Sequence, residues 1–594
     1  MGRKKIKSHS YIKANPFSWK WMVPLVIIVA IIPLIMRGHM VVLSEEQQRF
    51  WSQIYYLDFF SYYKAWWFII TSYTGALILL YLWWSKRVVI DDLKQFWPLG
   101  IYAIFVLGSY LFSSPKSIST FGYFGVNQGV FVLIGYVISV IISYYLIQSK
   151  THIRILAGSL IFVGLGVTLI GLTQYTGNDI FATDFGQNLI LPDHLKDLSG
   201  HLHIRFGQSR IYATMYNTNF VGSFAALMIP FSFALILGAK KFYTMTLALI
   251  FFAMMVFVGF GSNSRAGIIG LSASFFMIIV MFRKNIYRNP IKFILPFLVI
   301  GSTGYVLNEY SEGRIMSELR SLSIFSDIES AQDRLIFHRQ EIRGNDVILD
   351  TEEEGLIIRY ESDNTFAFYT LDEEPIPFTY NESIDRYTPD DERYQDFRVD
   401  RQSSGEATIR AYGNRINIFI TMDGLKSEDV FGNRVAPSSP RTIDALEPYG
   451  SMFSSRVSIW SRSIPLLSDN LLIGEGPDMF VTAYPNDALL QNSIMDKPHN
   501  LYLQIGINTG VISLLFISLF FLKYLFNSFI LYIKGNYSTF EHYLGVGVMS
   551  SVFAYLVTGM FNDQIISVAP LFYVMLGFGL AINRYVKTHQ SKPL

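Results

Sequence analysis

Apolar runs long enough to cross a bilayer recur along this chain, and they constrain its fold more than any other feature. A hydrocarbon layer about 30 Å thick takes about 20 helical residues to span, and inside it only helices or closed barrels satisfy their own backbone hydrogen bonds. Such runs cover 22–37, 65–84, 97–113, 129–147, 154–174, 212–237, 242–260, 265–282, 291–308, 500–524, 541–560 and 566–583. The pattern predicts an all-α polytopic membrane protein with about twelve transmembrane helices. The first run is short and carries Pro24 and Pro33. The basic start, MGRKKIKSHSYIK, leads straight into it and reads as flanking a retained first helix. Only 16% of the 594 residues are charged, where soluble chains average roughly a quarter.

Basic residues in the short connections set the orientation. Arg3-Lys4-Lys5, Lys86-Arg87, Lys150 with Arg154, Lys240-Lys241, Arg283-Lys284 with Arg288, Lys523 with Lys534, and Arg584 with Lys587 fall on alternate connections. These are expected on the cytoplasmic side of the cell membrane together with both termini. The loops 38–64, 113–128 and 175–211, the turn 261–265 and the region 309–498 are then expected outside.

The outward region is too long and polar to lack structure of its own. From about 334 to 435 it alternates apolar and polar residues between Gly, Asn and Asp, as in VILDTEEEGLIIRYESDNTFAFYTLD. An extracytoplasmic β-sandwich is expected there, inserted between an N-terminal membrane domain (1–308) and a C-terminal one (499–594). A loop of about 450–498 leads from it to the late helices. The rings of Tyr360, Phe368, Tyr387 and Tyr412 suit either sugar stacking or core packing.

A formal net charge of +2 argues against nucleic-acid binding, and zero cysteines exclude disulfides and thiolate metal sites. Asp193, His194, His201 and His203 crowd one loop, where a solvated interfacial segment is a better reading than a zinc site. No metal or cofactor is expected.

Three arginines stand at the expected outer edge, against the topological bias that keeps cations inside: Arg210, Arg265 and Arg456. Guanidinium forks bind phosphate oxygens in pairs and stay charged at any working pH. His499, in Lys497-Pro498-His499-Asn500, opens the tenth apolar run, and an imidazole is the side chain suited to take a proton from a hydroxyl or return one. Arg462 and Trp460 share its neighbourhood in sequence, followed by the turn Gly474-Glu475-Gly476-Pro477.

These pieces, in this order, resemble the O-antigen ligase superfamily, which includes Wzy-type and teichuronic-acid-type polysaccharide polymerases. The resemblance is carried by Gly171-Leu172-Thr173-Gln174, Arg210 with Asn217-Thr218-Asn219, and Ser264-Arg265-Ala266-Gly267. It continues through Arg456 with Trp460, Gly474-Glu475-Gly476-Pro477, and His499-Asn500-Leu501-Tyr502-Leu503 ahead of Thr509-Gly510. Where the family often has Glu-Thr-Gly, this chain has Asn508-Thr509-Gly510, and the inserted β region exceeds the family's usual outer loop.

The resemblance implies a GT-C-like helical bundle and metal-independent, inverting transfer of glycan from a polyprenyl-diphosphate donor to a glycan or anchor acceptor. On that reading Arg210 and Arg265, with Arg456, bind the diphosphate, and His499 acts on the acceptor hydroxyl. Asn219, Trp460, Asn500 and Tyr502 complete the expected substrate-binding set, although a helix cap for Asn500 and interfacial packing for Trp460 and Tyr502 compete with that role. Polymerase is favoured slightly over ligase. The alternative is a transporter or flippase of lipid-linked oligosaccharides, which calls for ionised groups or broken helices at mid-membrane.

Overall fold

The computed structural model describes residues 17–51, 53–202, 209–320, 337–361, 365–402, 405–534, 537 and 539–590. Long helices form where the apolar runs lie: α1 Tyr62–Trp84, α2 Trp97–Phe112, α3 Val130–Leu146, α4 Lys150–Tyr175, α5 Thr218–Gly238 and α6 Phe242–Gly261. They continue with α7 Arg265–Arg288, α8 Ile291–Tyr310, α9 Leu501–Thr509, α10 Val511–Ile533, α11 Phe540–Thr558 and α12 Ala569–Gln590. Among the described residues nine of these (α1, α4 to α8 and α10 to α12) are long and apolar enough to span a membrane. Trp19–Leu34, α2 and α3 are shorter apolar helical segments. The chain is a multi-pass membrane protein with a separate β-sheet region.

α5 is buried along its whole length and forms the centre of the bundle, with α6, α7 and α11 packed along it. Glycines permit these crossings, as small residues do where lipid offers no hydrophobic drive to helix association. A side chain at Gly267 would meet the backbone of Gly222 at 3.0 Å, so α7 and α5 touch at their first turns. α12 lies against α3 in the other half of the bundle, while most of the surface of α8 is exposed.

Three boundaries differ from the sequence reading. The expected span 500–524 is two helices, broken at Gly510, whose φ of 100° is open only to glycine at low cost. The expected span 212–237 starts at Thr218, because the N–H groups of residues 211–213 donate to the Gly261 carbonyl and the Gln174 side chain instead of entering a helix, and Ala213 turns through a left-handed φ of 48°. The first segment mixes 3-10, α and π turns around Pro24 and Pro33 rather than forming one regular helix.

At one end of the bundle β1 (His39–Val42) and β2 (Tyr55–Asp58) form a hairpin. The other strands are β3 Phe337–Arg343, β4 Asp346–Thr351, β5 Gly355–Tyr360, β6 Phe366–Tyr369, β7 Phe378–Asn381 and β8 Arg386–Pro389. They continue with β9 Phe397–Gln402, β10 Glu406–Ala411, β11 Asn414–Thr421, β12 Gly424–Glu428 and β13 Arg434–Val435. β3 to β6 form one antiparallel sheet and β7 to β13 another, each in sequential order. Their inner faces share one core, in which Val347, Leu356 and Ile358 meet Phe397, Ile409 and Ile418. Phe368 and Tyr387 are buried in that core and Tyr360 and Tyr412 pack against it, so these four rings serve packing. The two ends of the sandwich run side by side: Ile342 N–H donates to the Pro437 carbonyl at 2.9 Å, and Gln340 N–H to Ser439 Oγ at 2.7 Å.

Candidate active site at one end of the bundle

Three helices begin here with side-chain caps. Asn217 caps α5 through Asn219 N–H at 2.9 Å, Ser264 caps α7 through Gly267 N–H at 3.2 Å, and Asn500 caps α9 through the N–H groups of Tyr502 and Leu503. Each cap stands within two residues of an expected site residue: Asn219, Arg265 and His499 in turn. The polar residues that cap these helices therefore also position the expected site residues.

Arg210 lies on the irregular strand-like connection before α5, between left-handed turns at Ser209 and Ala213. Gln174, at the end of α4, accepts from Tyr212 N–H at 3.2 Å and Ala213 N–H at 2.7 Å, and its Nε2 donates to the Ala213 carbonyl at 3.2 Å. Ile211 N–H donates to the Gly261 carbonyl at 2.8 Å, which ties the strand to the turn before Arg265. A Cβ at Gly171 would come within 2.8 Å of Ile211, so the Gly171-Leu172-Thr173-Gln174 segment is shaped to receive this strand. Arg210 and Arg265 are half-buried, and Arg210 Nε is shielded from solvent with no hydrogen-bond partner among the described residues.

Arg456 comes from the helix Met452–Ser463, which follows the sandwich in the chain. Phe453, Ser454 and Ser455 have left-handed φ of 52°, 61° and 62°, so regular helix begins at Arg456 itself. Its guanidinium is buried, donates to Asn562 Oδ1 at 3.5 Å and to the Phe453 carbonyl at 3.4 Å, and leaves Nε unpartnered among the described residues. Burial lowers its pKa; Asp563 opposes that and the nearby Arg265 adds to it. Arg265 and Arg456 thus lie close enough for their like charges to repel, and Arg456 is left incompletely paired among the described residues.

His499 has left-handed backbone (φ 51°), and its Nδ1 lies 2.9 Å from Asp563 Oδ2. Asp563 Oδ1 accepts from Asn500 N–H at 3.1 Å, so one fully buried carboxylate fixes both the ring and the start of α9. A carboxylate at Nδ1 selects, in the neutral ring, the tautomer with the proton on that nitrogen and the lone pair on Nε2. Asn562 links this group to the arginines: its Nδ2 donates to the Asn219 carbonyl at 3.1 Å and to Ser223 Oγ at 3.0 Å, while its Oδ1 receives Arg456. Lys497, also buried, bonds Asp496 at 3.2 Å and stands over the Tyr216 ring at 5.7 Å. Burial works against its charge, but Asp496 and Asp563 outweigh that and raise its pKa.

The remaining expected residues hold the frame. Asn500 uses its oxygen in the cap and its Nδ2 on the Met560 carbonyl at 2.9 Å. Tyr502 donates to the Leu556 carbonyl at 2.9 Å, and Trp460 Nε1 to the Pro498 carbonyl at 3.0 Å, one residue before His499. Arg462 turns away from His499, donating to Gln491 at 2.8 Å. The glycine turn closes the α9–α10 break: Glu475 N–H donates to the Ile507 carbonyl and Gly476 N–H to that of Asn508. Below it, Asp478 accepts from the N–H groups of Tyr123 and Gln128 at 2.8 and 3.1 Å. In the loop thought of as a weak zinc candidate, Asp193 pairs with Lys196 at 2.6 Å, and His203 lies outside the described residues.

Asn562 and Asp563 escaped the sequence reading. They form part of the short polar stretch Asn562-Asp563-Gln564 between the last two apolar runs, and a lone carboxylate on the arginine-bearing side was the signal available.

The fold and site define a multi-pass membrane protein with a histidine–carboxylate pair beside clustered arginines. Residues 420–518 match the family model Wzy_C, O-Antigen ligase, which supports the O-antigen ligase and Wzy-type superfamily and with it a glycan-transferring membrane enzyme of polysaccharide assembly. That stretch contains Arg456, Trp460, His499, Asn500 and Tyr502, but not Arg210, Arg265 or Asp563. Comparisons with curated proteins and with solved structures gave no match.

Proposed function

We propose that the protein transfers or polymerises glycan units from a polyprenyl-diphosphate donor at the outer face of the cytoplasmic membrane, with a slight preference for polymerisation. The observation that carries this is His499 held by Asp563 next to Arg265 and Arg456. The three shorter apolar segments complete the twelve expected crossings, and both termini then lie in the cytoplasm.

His499 Nε2 takes the proton of the acceptor hydroxyl as that oxygen attacks the anomeric carbon, while Asp563 stabilises the imidazolium that forms. The bond from the anomeric carbon to the diphosphate oxygen breaks on the opposite face, inverting the configuration. The departing polyprenyl diphosphate carries the electron pair, and Arg210, Arg265 and Arg456 offset its charge in place of a metal ion. Trp460, Asn500 and Tyr502 act as positioning residues, and Asn219 lies at the start of α5 beside the leaving group.

Extension of a purified polyprenyl-diphosphate oligosaccharide in EDTA tests the reading. Products that lengthen, and that vanish with His499→Ala, support it. Unchanged activity in His499→Ala overturns it.

The break at Gly510 is the observation closest to a transporter. Its freed backbone groups are taken up by the 470–476 loop, with Val511 N–H on the Asn470 carbonyl and Ile512 N–H on that of Leu471. A plugged break favours a static frame over a transport path.

A further inference from the structure

A cavity of about 480 Å³ lies apart from the arginines, between the β1–β2 hairpin, the first turns of α1 and the 117–127 loop. This is within the range of pockets that hold small ligands, roughly 300–1,000 Å³. His39 and Tyr62 stack at 3.5 Å with planes 9° apart, and Trp66 continues the aromatic lining toward Phe121, 5.9 Å away. Polar groups are interleaved with these rings. His39, Tyr62 and Gln47 line the cavity, and the ring nitrogens of His39, the Tyr62 hydroxyl and Gln47 Nε2 make no hydrogen bond to another described residue.

The charge of the cavity excludes an anion. No Lys or Arg is among the described residues that line it, and the Asp58 carboxylate lies on its wall, saturated by donors that include Asn127 and the N–H groups of Phe60 and Ser61. A diphosphate would meet repulsion there and no cation. An acyl chain would leave the polar groups unpaired. A neutral sugar ring satisfies both halves of the lining, because its C–H face lies on aromatic rings and its hydroxyls take and give hydrogen bonds.

Two links tie the cavity to the rest of the molecule. Tyr56, on its wall, is within electrostatic reach of Tyr216 and Asp496, which surround Lys497, and Lys497 in turn feels Asp563. The short helix Glu45–Gln48, which presents Gln47, continues into Arg49 and Phe50. Asn433 of the sandwich donates to the Arg49 carbonyl at 3.3 Å, and Phe431 meets Phe50 edge-on at 6.1 Å.

We propose that this cavity is a neutral-sugar subsite for the acceptor glycan, and that the β-sandwich sets its wall through Phe431 and Asn433. The proposal rests on the glycan-transferase reading above and adds a binding site and a role for the sandwich.

The test uses the full chain in nanodiscs of phosphatidylethanolamine and phosphatidylglycerol. The probe is the repeat oligosaccharide of the source cells, released from its lipid by mild acid and so free of diphosphate. Tyr62→Phe removes one hydroxyl and keeps the stack, and Gln47→Glu removes Nε2 while keeping the oxygen that accepts from Ser44 N–H at 3.1 Å. Each is expected to weaken probe binding about 3- to 10-fold, the effect of one hydrogen bond, with the thermal midpoint unchanged. Phe431→Ala is expected to weaken it as well, and Arg265→Ala to leave it unaltered.

No saturable binding by wild type up to roughly 10 mM overturns the proposal. Equal binding by wild type, Tyr62→Phe and Gln47→Glu overturns it too, as does a native mass spectrum showing phospholipid at the site in place of the probe. Because no transfer is read, the two ideas fail separately. Probe binding without glycan extension removes the transferase reading and keeps the sugar site; extension without probe binding does the reverse.

Discussion

Asp563 holds His499 and the backbone of Asn500 with its two carboxylate oxygens, at 2.9 and 3.1 Å. The pairing therefore sets the ring tautomer and the start of a helix together. Asp563→Asn keeps the size and one acceptor but places an amide where the imidazolium needs a charge. Turnover is expected to fall about 10²- to 10⁴-fold with the donor KM little changed, measured by steady-state glycan extension.

Arg456 is a cation kept where it destabilises the empty protein. It is buried, Nε has no partner among the described residues, and Arg265 stands close enough to disfavour its charge. Arg456→Met is expected to stabilise the fold by about 1 kcal/mol, since a buried, poorly paired charge costs more than an apolar side chain of similar length. Extension activity should fall at least about tenfold as a diphosphate contact is lost. Thermal unfolding without donor, read beside the extension rate, checks both signs.

Asp478 makes stability depend on pH. Burial is the main cause of its rise from 3.8 to about 6, aided by Asp496 and opposed by the two N–H donors and by Lys497. The folded state then binds the proton more tightly than the unfolded one, so stability is full below 3.8 and is lost as pH climbs through about 6. The loss is about 3 kcal/mol at 1.36 kcal/mol per unit. Asp478→Asn is expected to flatten the thermal midpoint across that window.

Gly474 lies against the backbone of Asn508 and Thr509, closer than any side chain allows. Gly474→Ala is expected to push the turn off the α9–α10 break and cost about 2–4 kcal/mol. A lower thermal midpoint and reduced folded yield in detergent would show it.

Gln174 anchors the Arg210 strand by three hydrogen bonds. Gln174→Leu leaves the N–H groups of Tyr212 and Ala213 buried without an acceptor, at about 1–3 kcal/mol each. Lower stability and a raised donor KM are expected together, because the same strand carries Arg210.

The sequence showed the helices well, because a run such as 541–560 can bury its backbone in lipid only as a helix. It also singled out Arg210, Arg265, Arg456 and His499, as polar residues expected at one membrane edge. It did not show the break at Gly510, since the apolar run continues through it and the stop comes from a distant loop docking on the backbone. Nor did it give Asp563, whose partner is 64 residues away and which looks in sequence like one more polar turn residue. Asn500 and Tyr502 look like binding residues because they flank the histidine, yet their polar atoms are engaged in holding α9 in place.

The sandwich leaves the helical chain and returns to it at one point, where residues 340–342 run beside 437–439. To the threading of the helices, everything between those residues is a single closed loop, however large. A lineage could gain, trade or discard such a module in one genetic step and leave the order of the crossings intact.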